Sequence, residues 1–126
     1  MKLGVAVLAC ALMLATEAVA TSNVSARYDG IYTGKAFPTP GMSAPTCQPF
    51  EIPRVTIAKG FLRAGATSDE IRISGFITEE GYVAAFMTRP GGQKYPLDGR
   101  LEDGRISAGF LEPAAACAWI VELKPA

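Results

Sequence analysis

The residues that could do chemistry in this 126-residue chain are three cysteines and a few carboxylates, because it has no histidine at all. Without an imidazole, the Ser-His-Asp and Cys-His constellations are excluded, and so is the commonest metal ligand. Cys47 and Cys117 lie 70 residues apart, and in an oxidising compartment two cysteines admit a single intramolecular pairing. Once paired, they leave no thiolate for zinc or for nucleophilic attack. Asp29 and Asp98 each precede a strand glycine, so the two carboxylates meet only if their strands are neighbours. Asp103 stands before Gly104, where aspartate serves a turn through local hydrogen bonds. An acid-base pair needs two carboxylates at a fixed separation, and nothing in the spacing sets one. Gly91-Gly92-Gln93-Lys94 has no helix signal behind it and reads as a hairpin loop rather than a phosphate cradle. The expectation is a protein that is not an enzyme, with no catalytic residues, no cofactor and no metal.

The third cysteine, Cys10, falls in a predicted signal peptide over residues 1–20. Lys2 supplies the positive start, Leu3 to Ala15 the apolar run, and Ala18-Val19-Ala20 the small-x-small cleavage site. The run is shorter than the roughly 20 residues that span a bilayer. Too little apolar chain precedes Val7-Leu8-Ala9-Cys10 for a lipoprotein box. The predicted mature chain, residues 21–126, is secreted or periplasmic, with no stable membrane insertion after cleavage.

Net charge is zero, with twelve basic and twelve acidic residues, and the leader holds one of each, Lys2 and Glu17. No lysine or arginine cluster is present, which disfavours nucleic acid and anionic membranes as partners. Arg54, Arg63, Arg72, Arg89, Arg100 and Arg105 are scattered among glutamates and read as a solvated face of mixed sign.

The elements that must position these residues are strands. Eight β-prone runs begin near residues 27, 52, 61, 70, 82, 94, 105 and 117, each separated from the next by a turn or loop, most of them glycine-bearing. The short spacing leaves no room for parallel crossovers, so the pairing is antiparallel. The predicted fold is all-β, an eight-stranded up-and-down meander closed into a small barrel, with an open two-sheet sandwich as the alternative. In the last run Cys117, Trp119, Val121 and Leu123 share one face, a core face, while Ala118, Ile120 and Glu122 share the other.

One connection differs from the rest. Residues 37–50 carry four prolines, at 38, 40, 45 and 49, which deny the ladder its donors and make a long irregular loop. Cys47 would fasten this loop to the last strand. Alternation puts many of the eleven aromatic side chains on the presumed inner face, filling the barrel. Candidate contact residues for a ligand or partner are Phe37, Met42, Phe50, Trp119 and Ile120.

Asp29-Gly30-Ile31-Tyr32-Thr33-Gly34, Asp103 to Phe110 and Cys117-Ala118-Trp119 together resemble a group of small secreted β-domain proteins of Gram-negative bacteria. That resemblance spans most of residues 27–124 and implies a periplasmic β domain without an assigned activity. Periplasmic lysozyme inhibitors share a comparable disulfide-stapled barrel, but their Ser-Gly-x-x-Tyr loop has no counterpart here. The function expected is a non-enzymatic binding or interaction module, with an unknown protein or a small apolar ligand as partner. The alternatives are an enzyme inhibitor acting through residues 37–50, or a small-ligand carrier with an apolar barrel interior.

Overall fold

Alternation of apolar and polar side chains decides this fold. In the computed structural model, which describes residues 24–126, every glycine-punctuated run becomes a strand. The predicted leader over residues 1–20, with Cys10, lies outside the described residues. The strands are β1 (Gly30–Pro38), β2 (Phe50–Ala58), β3 (Phe61–Ala64), β4 (Arg72–Ile77), β5 (Tyr82–Thr88), β6 (Lys94–Glu102), β7 (Arg105–Glu112) and β8 (Cys117–Pro125). Single turns of 3-10 helix precede β1 and join β7 to β8.

Each strand pairs antiparallel with the next, and β8 pairs with β1 from Tyr32↔Pro125 to Pro38↔Trp119. That seam closes the barrel and excludes the sandwich. Closure leaves no strand at an open edge, where an unpaired ladder would invite aggregation.

The first strand is displaced from its expected position. It starts at Gly30 after the 3-10 turn and continues to Pro38, with Ala36 fully buried and Phe37 paired to Ile120. The irregular connection is therefore 39–49 rather than 37–50, since the ladder persists until Pro38 and resumes at Phe50. A bulge sets Thr33 against Pro53 and Arg54, and a proline fits there because a bulge does not require its missing N–H.

Two hairpins are as tight as two residues allow. Lys59 and Gly60 both have positive φ (53° and 82°), the signature of a type I′ turn that matches strand twist. Asp29 secures this turn, its carboxylate accepting hydrogen bonds from Lys59 N at 2.7 Å and Gly60 N at 3.0 Å. Asp29 and Asp98 do not meet: one precedes β1 and the other is on β6, strands that are not neighbours.

Aliphatic side chains fill the interior, among them Ile57, Leu62, Ile77, Met87, Leu97 and Ile106, all buried. Burying each removes apolar area from water and contributes about 1.5–3 kcal/mol. Strands crowd most closely at Gly34, where a Cβ would overlap Glu122 O, and nearly as closely at Gly75 and Gly99. A Cβ at Gly75 or Gly99 would overlap the alanine opposite it, Ala85 or Ala108, so the wall can bend inward only without one.

Candidate functional site

Strand alternation carries β7 to its end with Ile106, Ala108, Phe110 and Glu112 all buried, so a carboxylate enters the barrel mouth. Glu112 is 8% exposed, and burying a charge without partners would be costly. Its Oε1 accepts from Trp119 Nε1 and its Oε2 from Arg89 Nε, both at 3.1 Å. The Arg89 guanidinium lies 4.3 Å from the Phe50 ring centroid and 5.8 Å from that of Trp119. Phe50 meets Trp119 edge-on at 4.8 Å, and Phe110 stacks on Trp119 at 6.1 Å.

Arg89 is thus no member of a solvated face. It follows β5 into the mouth, where Glu112 draws it across the aromatic cluster. Burial, followed by the negative charge of Glu112, raises the pKa of Tyr95, whose hydroxyl donates to Gln93 Oε1. With both oxygens of Glu112 engaged, the cluster works as a plug that anchors Trp119.

Next to the plug, the Cys47–Cys117 disulfide forms as the sequence predicts, with Cα atoms 6.0 Å apart. It fastens the 39–49 connection against the outside of β8. Thr39 N and Ser43 Oγ donate to Ala118 O at 2.7 and 2.9 Å, Ala118 N donates to Ser43 Oγ at 3.1 Å, and Ala44 N donates to Ala116 O at 2.9 Å. Ala118 is consequently buried although it faces outward, while Ile120 stays half-exposed.

The outer wall departs most from expectation. Tyr32, Phe110 and Trp119 do fill the interior, but Phe37, Phe61, Phe76, Tyr82 and Phe86 point out. The inward phase of β3, β4 and β5 is taken by Leu62, Ile73, Ile77, Val83 and Met87, leaving the aromatics in the opposite phase. Phe61 pairs with Phe76, Phe76 pairs with Ala84, and Ala84 sits between Tyr82 and Phe86 on β5. Phe86 pairs with Pro96, which shares a depression of about 460 Å³ with Leu111, Ile120 and Met42; Ile120 then pairs with Phe37. An apolar band therefore runs from β3 to β1, with Phe61 54%, Phe86 50%, Leu111 62% and Met42 65% exposed. Outward residues of β3, β4 and β5 include Arg63 and Arg72 but no acid.

A second depression, of about 620 Å³, lies over β2, β1, β8 and β7, where Lys35, Glu51, Arg105, Glu122 and Lys124 make a polar rim of mixed sign. Both depressions open on the outside of the barrel. The five predicted contact residues divide accordingly. Met42 and Ile120 line the depression on the outer band and Phe37 pairs with Ile120 at its edge, whereas the rings of Phe50 and Trp119 pack in the plug, Trp119 also lining that depression.

Among the described residues no group of three or more Cys, Asp or Glu side chains converges to hold a metal ion, and no helix is long and apolar enough to cross a membrane. Comparisons with family models, curated proteins and solved structures find no match to the chain.

Proposed function

We propose that the protein is an exported, non-enzymatic interaction module that binds a partner protein through its outer apolar band. The carrying observation is the run of exposed side chains Phe61, Phe76, Phe86, Leu111, Met42 and Phe37 on adjoining elements. Isolated exposed hydrophobics need no explanation, but contiguous ones mark interaction surfaces. Aromatic, methionine and arginine side chains are also those enriched at protein interfaces.

The band does not fit a membrane-spanning barrel, whose outward residues are apolar and whose lumen is polar. Here the lumen is aliphatic and the outer wall carries Arg63, Asp98, Arg100, Glu122 and Lys124. A carrier would need space inside, where the aliphatic core sits. Export is read from the Lys2 to Ala20 leader pattern together with a disulfide. Intact mass of the protein recovered from the cell envelope should begin at Thr21; an unprocessed chain there would sink that part of the reading.

The test of the module is affinity capture from envelope extract. A Phe61→Ser, Phe76→Ser, Phe86→Ser variant should lose the protein that the native chain retains, with a melting temperature within a few degrees of native. Identical retention by both would end the proposal. An inhibitor reading draws support from Met42, exposed on a loop that a disulfide pins, and predicts that Met42→Asp alone abolishes retention.

A further inference from the structure

The depression over Gly109 lies within the apolar band, and its lining is unusual in two respects. Asp98, Gly109 and Ile120 are cross-strand partners on β6, β7 and β8, so Gly109 forms a floor between a carboxylate and an aliphatic side chain. Pro96, Leu111 and Met42 stand in its walls, with Thr39 and Ala118 beside them.

The first unusual feature is that the fold does not demand glycine here. Gly109 is not among the positive-φ residues, and a Cβ built on it would meet only Trp119 O, at an ordinary 3.4 Å. Gly75 and Gly99, by contrast, are forced by the neighbouring strand. A missing side chain at Gly109 thus relieves no clash, and its effect is to leave the floor open.

The second feature is Asp98. It is the only charged residue lining the depression, and among the described residues it enters no ion pair. Arg100, its nearest outward neighbour on β6, is turned away, with its guanidinium 4.5 Å from the Tyr82 ring centroid and 3.4 Å from Glu102.

Resting on the protein-binding reading above, we infer that this groove receives an extended segment of the partner that places an apolar side chain over Gly109 and a lysine or arginine against Asp98. Apolar walls supply the burial and Asp98 the charge selection. An acidic segment would set a second carboxylate beside Asp98 and is rejected.

The test is a titration of the ¹⁵N-labelled protein, exported and processed by its host, with the capped tripeptides Leu-Arg-Leu, Leu-Gln-Leu and Leu-Glu-Leu. Leu-Arg-Leu should shift the amides of Gly109, Leu111 and Ile120 and bind most tightly, with Leu-Glu-Leu weakest. Asp98→Asn should weaken Leu-Arg-Leu by about three-fold, the scale of an exposed ion pair. Asp98→Lys should reverse the order of the charged peptides. Gly109→Leu should remove the shifts at unchanged melting temperature, and Gly109→Ala, the smaller change, should weaken them.

Shifts that are absent, that centre elsewhere, that ignore peptide charge or that survive Gly109→Leu would each overturn the inference. Self-association of the protein that Gly109→Leu abolishes would also overturn it, by assigning the groove to a second copy. If these peptides fail while the triple phenylalanine variant still loses its partner, the groove assignment falls and the interaction-module reading stands.

Discussion

Trp119 and Glu112 lie on neighbouring strands, and the indole Nε1 donates to the carboxylate Oε1 at 3.1 Å. That bond ties the largest apolar side chain of the core to the only buried carboxylate described, and Arg89 balances the charge from the other side. The plug therefore acts as one unit: each of its polar members is satisfied by another, and Trp119 is held in a single orientation.

Glu112→Gln should destabilise the fold by about 2 kcal/mol. Breaking a buried pair costs more, and this estimate is discounted because the Arg89 side chain is 25% exposed and water screens it. Arg89→Met should cost a similar amount, and the double variant less than the sum of the two, since it leaves no orphaned charge. Urea denaturation followed by the single tryptophan measures all three; strict additivity would show that the pair is not coupled.

Replacing Cys47 and Cys117 together by alanine should lower stability by about 2–4 kcal/mol, because a cross-link across 70 residues restricts the unfolded chain. Thiol titration of the non-reduced, denatured native protein should find no free sulfhydryl from either residue. Freed of the disulfide, the 39–49 strap should become the first region to exchange its amides, with Ala44 and Ala118 losing protection.

Glycine substitutions should separate into two classes. Gly75→Ala and Gly99→Ala place a methyl into the adjacent strand and should cost more than 2 kcal/mol, in line with overpacking of a tight core. Gly109→Ala should change stability by less than about 0.5 kcal/mol, as a surface substitution without strain does. Thermal melts of the three variants decide it.

Alkali should weaken the protein partly through Tyr32. Burial, and then the negative charge of Asp29, raises its pKa above the ordinary tyrosine value, and its hydroxyl donates to Tyr28 O at 2.9 Å. A raised pKa means that the neutral form is favoured in the folded state. The stabilisation is therefore complete below the unfolded value of about 10 and is lost as pH rises through the folded one. Tyr32→Phe should show a shallower loss of urea stability between about pH 9.5 and 11.5 than the native protein; parallel curves would remove Tyr32 as the cause.

Most strand starts were legible because glycine-bearing turns and alternation act locally, though β1, β2 and β4 begin two or three residues from where the sequence places them. The disulfide was legible because, with Cys10 set aside in the expected leader, two cysteines leave one pairing. The direction of Phe61, Phe76, Tyr82 and Phe86 was also written in the sequence. Ile73 and Ile77 define the inward phase of β4, and Phe76 stands between them. The Arg89–Glu112–Trp119 contact was not legible, since three residues from three segments converge only once the barrel has closed. Nor was the covering of Ala118, which depends on the path taken by the proline-rich strap.

The seam between β1 and β8 also has a consequence in time. Chains are made from the N-terminus, so β1 emerges before the other seven strands, and its partner Cys117–Pro125 is the last of the eight to follow. The disulfide waits for the same segment, because Cys117 is its first residue. Until then β1 and β7 both lack the partner that β8 supplies, and the barrel cannot close. If the chain is exported, both events wait until the other seven strands have crossed the membrane, and an interruption short of residue 117 would leave a chain that can neither close its barrel nor form its disulfide.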